Sequence, residues 1–224
     1  SISKHIPEST AIYLIGGCAL SFKGLKQRTK DIDIITISKG EFTILDAAMV
    51  KAGFTRETNL KDEFYLTALA VYKKEESRID IFLHKVGQML SFTSGMKKRS
   101  QLHNTYGKLK VYLASNEDIF LFKAMTPRVG DIFDCNMLMA QGLDYNIIYT
   151  ETLEQSRAEN KWFFWVYEKV CAIEDYNGII IPIKSKLLKL IKYHWLERPG
   201  DFMNGIKQLE KHLPDQKLLQ DLRK

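Results

Sequence analysis

Cysteine is scarce in this chain of 224 residues: Cys18, Cys135 and Cys171 stand far apart, are odd in number and show no C-x-x-C spacing. That excludes a disulfide framework and a cysteine-based zinc site, and it fits a reducing compartment. No apolar run reaches the roughly 18 residues that a membrane-spanning helix needs, so no membrane contact is expected. The N-terminus lacks a basic segment leading into an apolar one, so no signal peptide is expected either. Internal repeats and low-complexity tracts are missing too. The expectation is a cytoplasmic protein. What is present is a 45% hydrophobic composition with net charge +6 and pI near 9.0. That composition can bury one good core and a smaller second one, because domains run to ~100–150 residues. The positive balance favours polyanionic partners without separating a nucleotide from a nucleic acid.

Gly16-Gly17 and Asp31-Ile32-Asp33 carry the most information. Ala11-Ile12-Tyr13-Leu14-Ile15 is an apolar run of strand length, the glycine pair interrupts it, and Cys18-Ala19-Leu20-Ser21-Phe22 can begin a helix. Glycine lets a ligand approach the backbone where a Cβ would collide, and free N–H groups at a helix start suit phosphate oxygens. Asp31 and Asp33 alternate with Ile32 and Ile34, so in a strand both carboxylates leave one face, about 7 Å apart. Two such acids repel unless a cation lies between them, and carboxylates are the ligands Mg²⁺ prefers.

A third acid, Asp80, sits in the apolar run Arg78-Ile79-Asp80-Ile81-Phe82. Three carboxylates on neighbouring strands could hold two metals. The plain alternative is a sheet with one wet face, on which Asp31 and Asp33 are solvated and Asp80 pairs with Arg78 or Lys85. Order and spacing favour the metal: strand, Gly-Gly, helix, Arg28-Thr29-Lys30-Asp31-Ile32-Asp33, helix, then a strand with one acid.

The stretch from Gly16 to Ile34 resembles the signature of the DNA polymerase β-like nucleotidyltransferase superfamily. Within it the chain is most similar to stand-alone bacterial and archaeal nucleotidyltransferases related to abortive-infection toxins. The resemblance covers roughly residues 8 to 145. It implies Asp31, Asp33 and Asp80 as the metal triad for Mg²⁺ or Mn²⁺, and Gly16-Gly17 as the triphosphate turn. Arg28 either joins the phosphate contacts or forms a salt bridge to a helix end.

A second block supports the likeness. Ser115-Asn116-Glu117-Asp118 has the cap and acids of a helix start, and Ile119 to Met125 continue the helix until Pro127 stops it. Arg128 to Asp134 open another, with Asp131 and Asp134 on one face. Lys123, Arg128, Asp131 and Asp134 resemble the K-x(4)-R-x-[KR]-D-x-x-D element of the toxin-related families, which implies that Lys123 contacts phosphate and Asp131 lies beside the site. Gly130 replaces the usual basic residue, so that contact is absent or comes from Lys30, Lys97 or Lys98. The alternative is that Lys123 snorkels and the two aspartates cap and solvate a helix.

The expected architecture is α/β (α+β): a nucleotidyltransferase-type mixed sheet flanked by helices over 1–114, then a helical bundle over 115–224. Strands are expected at 11–15, 31–37, near 64–73 and 78–84, helices at 18–26 and 41–52, a basic helix or loop over 86–99, and a hairpin over 102–113 turning at Tyr106-Gly107-Lys108. The aromatic run from Asn160 to Ile173 predicts a buried helix, with a base-stacking platform as its alternative. Lys97-Lys98-Arg99 forms a basic knot, and Lys184, Lys186, Lys189 and Lys192 line an amphipathic helix that is either a solvated face or a track for an RNA backbone.

The resemblance implies in-line attack of an acceptor hydroxyl on the α-phosphate of a nucleoside triphosphate, with release of pyrophosphate. The acceptor is expected to be a tRNA or other RNA end, or a protein hydroxyl, in a toxin-type system with a cognate antitoxin-like protein. Two alternatives are transfer to an aminoglycoside-like small molecule and a catalytically silent nucleotide- or partner-binding module. A CCA-adding role is not expected, because Leu20-Ser21 stand where those enzymes carry an arginine-aspartate pair.

Overall fold

A computed structural model of the chain describes residues 1–29, 31–57, 68–87, 90–124, 126, 128–159 and 162–197. They belong to two compact units, Ser1–Phe122 and Lys123–Lys224. Among the described residues no helix is long and apolar enough to cross a membrane.

The first unit is a mixed sheet with helices. After a 3-10 turn at Ile2–His5 come β1 (Thr10–Ile15), α1 (Gly16–Phe22), β2 (Asp31–Thr36), α2 (Lys39–Lys51), β3 (Thr55–Arg56), β4 (Ala70–Lys74) and β5 (Ser77–Leu83). Then follow β6 (Lys85–Val86), β7 (Leu90–Ser91), α3 (Ser94–Arg99), β8 (Gln101–Tyr106), β9 (Leu109–Leu113) and α4 (Asn116–Ala124), whose last two residues, Lys123 and Ala124, already belong to the second unit. Seven strands form one sheet in the order β3-β4-β5-β2-β1-β9-β8, while β6 and β7 pair separately. The central strands carry the residues most apt for burial on both faces, and Ile34, Ile35, Val71 and Ile81 are fully enclosed. By contrast β8, at the sheet edge, is exposed along its whole length.

Local chemistry sets the helix ends. Ser38 Oγ accepts from Glu41 N at 3.1 Å and Glu41 Oε2 accepts from Ile37 N at 3.1 Å, a reciprocal cap that starts α2. Ser115 Oγ does the same for Asp118 N at 3.2 Å, so α4 begins where its sequence predicts. Helix α1 ends at Phe22, four residues earlier than expected, with Gly24 in the left-handed region at φ +74°. The segment 86–99 holds short strands before a six-residue basic helix, α3, capped by Thr93. The expected strand near 64–73 is described only from residue 68 onward, where β4 occupies Ala70–Lys74.

The second unit is helical: α5 (Val129–Ala140), α6 (Tyr145–Glu159), α7 (Trp162–Asn177) and α8 (Lys184–Glu197). Helix α7 packs against α5, α6 and α8. It buries Phe163, Phe164, Val166, Tyr167, Val170 and Ile173, so these residues of the aromatic run are core.

Candidate nucleotidyl-transfer site

Strand pairing assembles the acidic face. β1 and β2 run antiparallel with Ile15 opposite Asp33, and β2 runs parallel to β5 with Asp31 opposite Arg78 and Asp33 opposite Asp80. Cross-strand partners leave a sheet on the same side, as do residues two apart on one strand. One face therefore carries Asp31, Asp33, Arg78 and Asp80 beside the start of α1.

The glycine pair is fitted to this face. Gly16 has φ +60°, and a Cβ there would stand 2.5 Å from Asp33 Oδ2. A Cβ on Gly17 would stand 2.8 Å from Thr29 Oγ1. The close approach that requires glycine is thus made by Asp33 and Thr29, and it puts the Asp33 carboxylate at the positive end of α1. Thr29 is held in turn by its hydroxyl donating to Asp31 O at 3.0 Å. Cys18, one residue on, is buried, and burial followed by the nearby Asp33 charge pushes its thiol up to about 11. It is a packing residue, as a thiolate is required for reactivity.

Arg78 changes the electrostatics. Its Nε donates to Asp80 Oδ1 at 2.9 Å, its Nη2 donates to Asp80 Oδ2 at 3.3 Å, and its Nε lies 3.9 Å from Asp31 Oδ1. Asp80 is only 1% exposed. Burial raises its pKa; the Arg78 hydrogen bond and charge oppose that rise without cancelling it, and Asp31 adds to it. Among the described residues no three acidic, histidine or cysteine side chains are grouped to hold a metal. The donor set on the sheet nevertheless suits Mg²⁺, which commonly uses one or two carboxylates and leaves its other positions to water and substrate phosphates. Asp31 and Asp33 fit that pattern. Asp80, the third acid of the expected set, is bonded to Arg78, a pairing prefigured by the i, i+2 spacing of the two residues on one strand.

Within the same unit a cleft of about 520 Å³ opens alongside, lined by Cys18, Ser21 and Phe22 of α1, by Gln27 to Thr29, by Ile32 and by Glu76 to Arg78. Arg28 is exposed on its wall. The cleft had no signal in the sequence, because it arises where the short α1 turns back and the β4–β5 turn comes level with it. Lys30 lies outside the described residues.

The second motif block forms a different arrangement, inside the helical unit. Lys123, 8% exposed, places its ammonium 2.8 Å from Asp131 Oδ1 and 2.7 Å from Asp134 Oδ2. Burial alone would lower the lysine pKa, but the two carboxylates outweigh it and the net direction is upward. Asp131 also accepts from the Thr126 hydroxyl and from Arg128 Nε, and Lys169 Nζ donates to Thr126 O at 2.7 Å. Lys123, Asp131 and Asp134 of the expected phosphate element thus form a buried ion-pair network; Thr126 and Lys169 are members that the sequence did not point to.

The basic segments divide likewise. Lys97 and Lys98 are exposed on α3, whereas Arg99 donates to the fully buried Asp118 at 2.6 and 3.2 Å. On α8, Lys186, Lys189 and Lys192 are exposed over buried Leu187 and Ile191, while Lys184 pairs with Glu174.

A glycine turn against the second acid of a D-x-D strand, a third acid in register on the next strand and a mixed sheet with following helices define a nucleotidyltransferase-type domain. The chain belongs to the family described as nucleotidyltransferase of unknown function (DUF6036), whose model matches residues 2–173. No curated protein matches it. Among solved structures, the crystal structure of JHP933 from Helicobacter pylori is similar over 92% of this chain and 93% of that chain, at 11% identity and a TM-score of 0.41.

Proposed function

We propose that the chain is a metal-dependent nucleotidyltransferase that moves a nucleoside monophosphate from a nucleoside triphosphate to an acceptor hydroxyl. The observation that carries this reading is the placement of Asp33, set against the Cβ-less Gly16 at the head of α1 and opposite Asp80 on β5. In the reaction the acceptor oxygen forms a bond to the α-phosphorus, the bond from that phosphorus to the bridging oxygen breaks, pyrophosphate leaves and the hydroxyl proton passes to the Asp80 carboxylate and from there to water. Such transfer depends on positioning and on stabilising charge.

The residues divide the work. Asp31 and Asp33 would hold Mg²⁺ or Mn²⁺, which when bound neutralises phosphate charge. The N-terminus of α1 at Gly16-Gly17 offers its dipole to the triphosphate. Asp80 would complete the metal-binding set on the side of the nucleophile and help to deprotonate it, and Arg78 is near enough to Asp80 and Asp31 to balance the acidic face while no substrate is present and to turn toward phosphate once one arrives.

The proposed acceptor is an RNA end, tRNA included, or a protein hydroxyl, in a toxin-type system with an antitoxin-like partner. The exposed lysines of α3 and of α8, taken separately, supply the polyanion-binding chemistry that favours RNA. Incubation with each α-labelled nucleoside triphosphate, Mg²⁺ and total RNA or cell extract is the test. The reading expects label in a macromolecular band and its loss in Asp33→Asn; no transfer and no nucleotide binding by the wild type would overturn it.

A further inference from the structure

The cleft beside the acidic face has chemistry of its own. Its volume of about 520 Å³ falls in the range of small-ligand sites. Phe22 stands on its wall with half its surface exposed, its ring 4.8 Å from that of His103 and tilted by 56°. A phenylalanine so placed contributes little to the core and keeps an aromatic face open. Cys18 and Ile32 add apolar surface, and Arg28 and Arg78 bring guanidinium groups to the same space. Ser21 Oγ is buried with no hydrogen-bond partner among the described residues. Buried hydroxyls are almost always bonded, and an orphan calls for an explanation. A serine exchanges staggered rotamers readily, so a ligand in the cleft could give this hydroxyl the partner it lacks.

The geometry points to a nucleobase site: the cleft takes the base of a nucleotide, stacked on Phe22, with Ser21 and Gln27 on the base edge and Arg28 and Arg78 toward its phosphate. A purely apolar ligand would leave the exposed Arg28 guanidinium, the Gln27 amide and the orphan Ser21 hydroxyl unanswered, whereas a planar heterocycle bearing a phosphate answers all of them. Helix α1 links this cleft to the acidic face, because Phe22 lies about 9 Å along the helix from Gly16 at 1.5 Å per residue. Arg78 touches both places, lining the cleft and bonding Asp80. The assignment rests on the nucleotidyl-transfer reading and adds where the base goes.

The base can come from the free nucleotide or from the end of an RNA strand, and the experiment separates them. The full chain is titrated calorimetrically with Mg²⁺-tripolyphosphate, with each of the four nucleoside triphosphates and with a short oligoribonucleotide, as wild type, Phe22→Ala, Phe22→Tyr and Ser21→Ala. Phe22→Ala should weaken binding of the base-bearing ligand about tenfold, the size of one lost base–aromatic stack. Phe22→Tyr should restore it, Ser21→Ala should weaken it less, and tripolyphosphate affinity should stay unchanged throughout. An effect confined to the triphosphates assigns the base to the donor, and one confined to the oligonucleotide assigns it to the acceptor; both support the cleft. Equal affinity of wild type and Phe22→Ala for every base-bearing ligand, with tripolyphosphate still bound, overturns the cleft assignment and leaves the transfer reading standing. Failure of the wild type to bind any of these ligands overturns both.

Discussion

Gly16 and Asp33 approach each other so closely that a Cβ on Gly16 would lie 2.5 Å from Asp33 Oδ2. The strand end, the helix start and the acidic face are therefore one packing unit, and the glycine serves the carboxylate before it serves any ligand. Gly16→Ala should cost about 1–2 kcal/mol for its left-handed φ, and it should also drive the Asp33 side chain from its place. Thermal denaturation together with titration of Mg²⁺ and nucleoside triphosphate checks this. The expected result is a folded, less stable protein that no longer binds the metal–nucleotide pair; full binding by Gly16→Ala would show that the contact is dispensable.

Asp33→Asn keeps the size of the side chain and removes its charge. Metal and nucleotide should bind the wild type more tightly together than either does alone, because substrate phosphates complete the coordination shell. In Asp33→Asn that synergy should disappear. Unchanged metal–nucleotide affinity by calorimetry would remove Asp33 from the proposed ligand set.

The buried trio in the helical unit predicts a different phenotype. Lys123 pairs with both Asp131 and Asp134, at 2.8 and 2.7 Å, with almost no solvent. Truncating one partner of a buried ion pair leaves charge unpaired and typically costs ~3–5 kcal/mol. Lys123→Ala should lower the unfolding free energy from urea titration by that order, and Lys123→Met combined with Asp131→Asn and Asp134→Asn should recover much of it. Retained stability with weakened triphosphate affinity would instead make Lys123 a phosphate ligand, as its motif context implies.

Strand β1, the glycine turn, the D-x-D strand, the β8–β9 hairpin and the cap at Ser115 were legible because each rests on local signals: alternation, turn residues and side-chain caps. The in-register placement of Asp33 and Asp80 was legible only as far as both sit in apolar strands, since pairing across 47 residues of chain depends on the whole sheet. The partners of charges were hidden. A lysine on an apolar helix has the same one-letter context whether it reaches phosphate or closes on two aspartates one turn apart, and Arg99 reads as part of a basic knot until Asp118 is seen to hold it. The cleft was hidden for a similar reason, as it depends on where α1 stops.

Glu168, on α7, supplies a pH dependence. Burial raises its pKa from 4.5 to about 7, against the opposing charge of Lys169. An acid whose folded-state pKa is raised binds its proton more tightly in the native state, so its contribution is fully present below pH 4.5 and is lost as pH climbs through 7. Stability should fall across that window with a slope of up to about 1.4 kcal/mol per pH unit from this group. Urea titrations between pH 4.5 and 8 of wild type and Glu168→Gln should diverge, the variant giving the flatter profile. Parallel profiles would mean that Glu168 is solvated in the native protein.

The acceptor can be approached through salt. Lys97 and Lys98 are exposed on α3, and Lys186, Lys189 and Lys192 are exposed on α8, although Lys186 also lies 5.6 Å from the Tyr149 ring centre. If RNA is the acceptor, each phosphate these lysines neutralise releases a counterion, and the logarithm of affinity drops by roughly 0.7 to 0.9 per contact for each tenfold rise in salt. Filter-binding titrations at several salt concentrations should give a steep line for the wild type. Lys97→Glu with Lys98→Glu should give a shallower line, as should the same reversal at Lys189 and Lys192. Nucleotide binding at the acidic face should be unaffected in both, because these side chains act on the polyanion and not on the triphosphate. A wild type that retains no RNA even at low salt would shift the acceptor to a protein hydroxyl or a small molecule, and co-purification with a small partner protein would then become the decisive measurement.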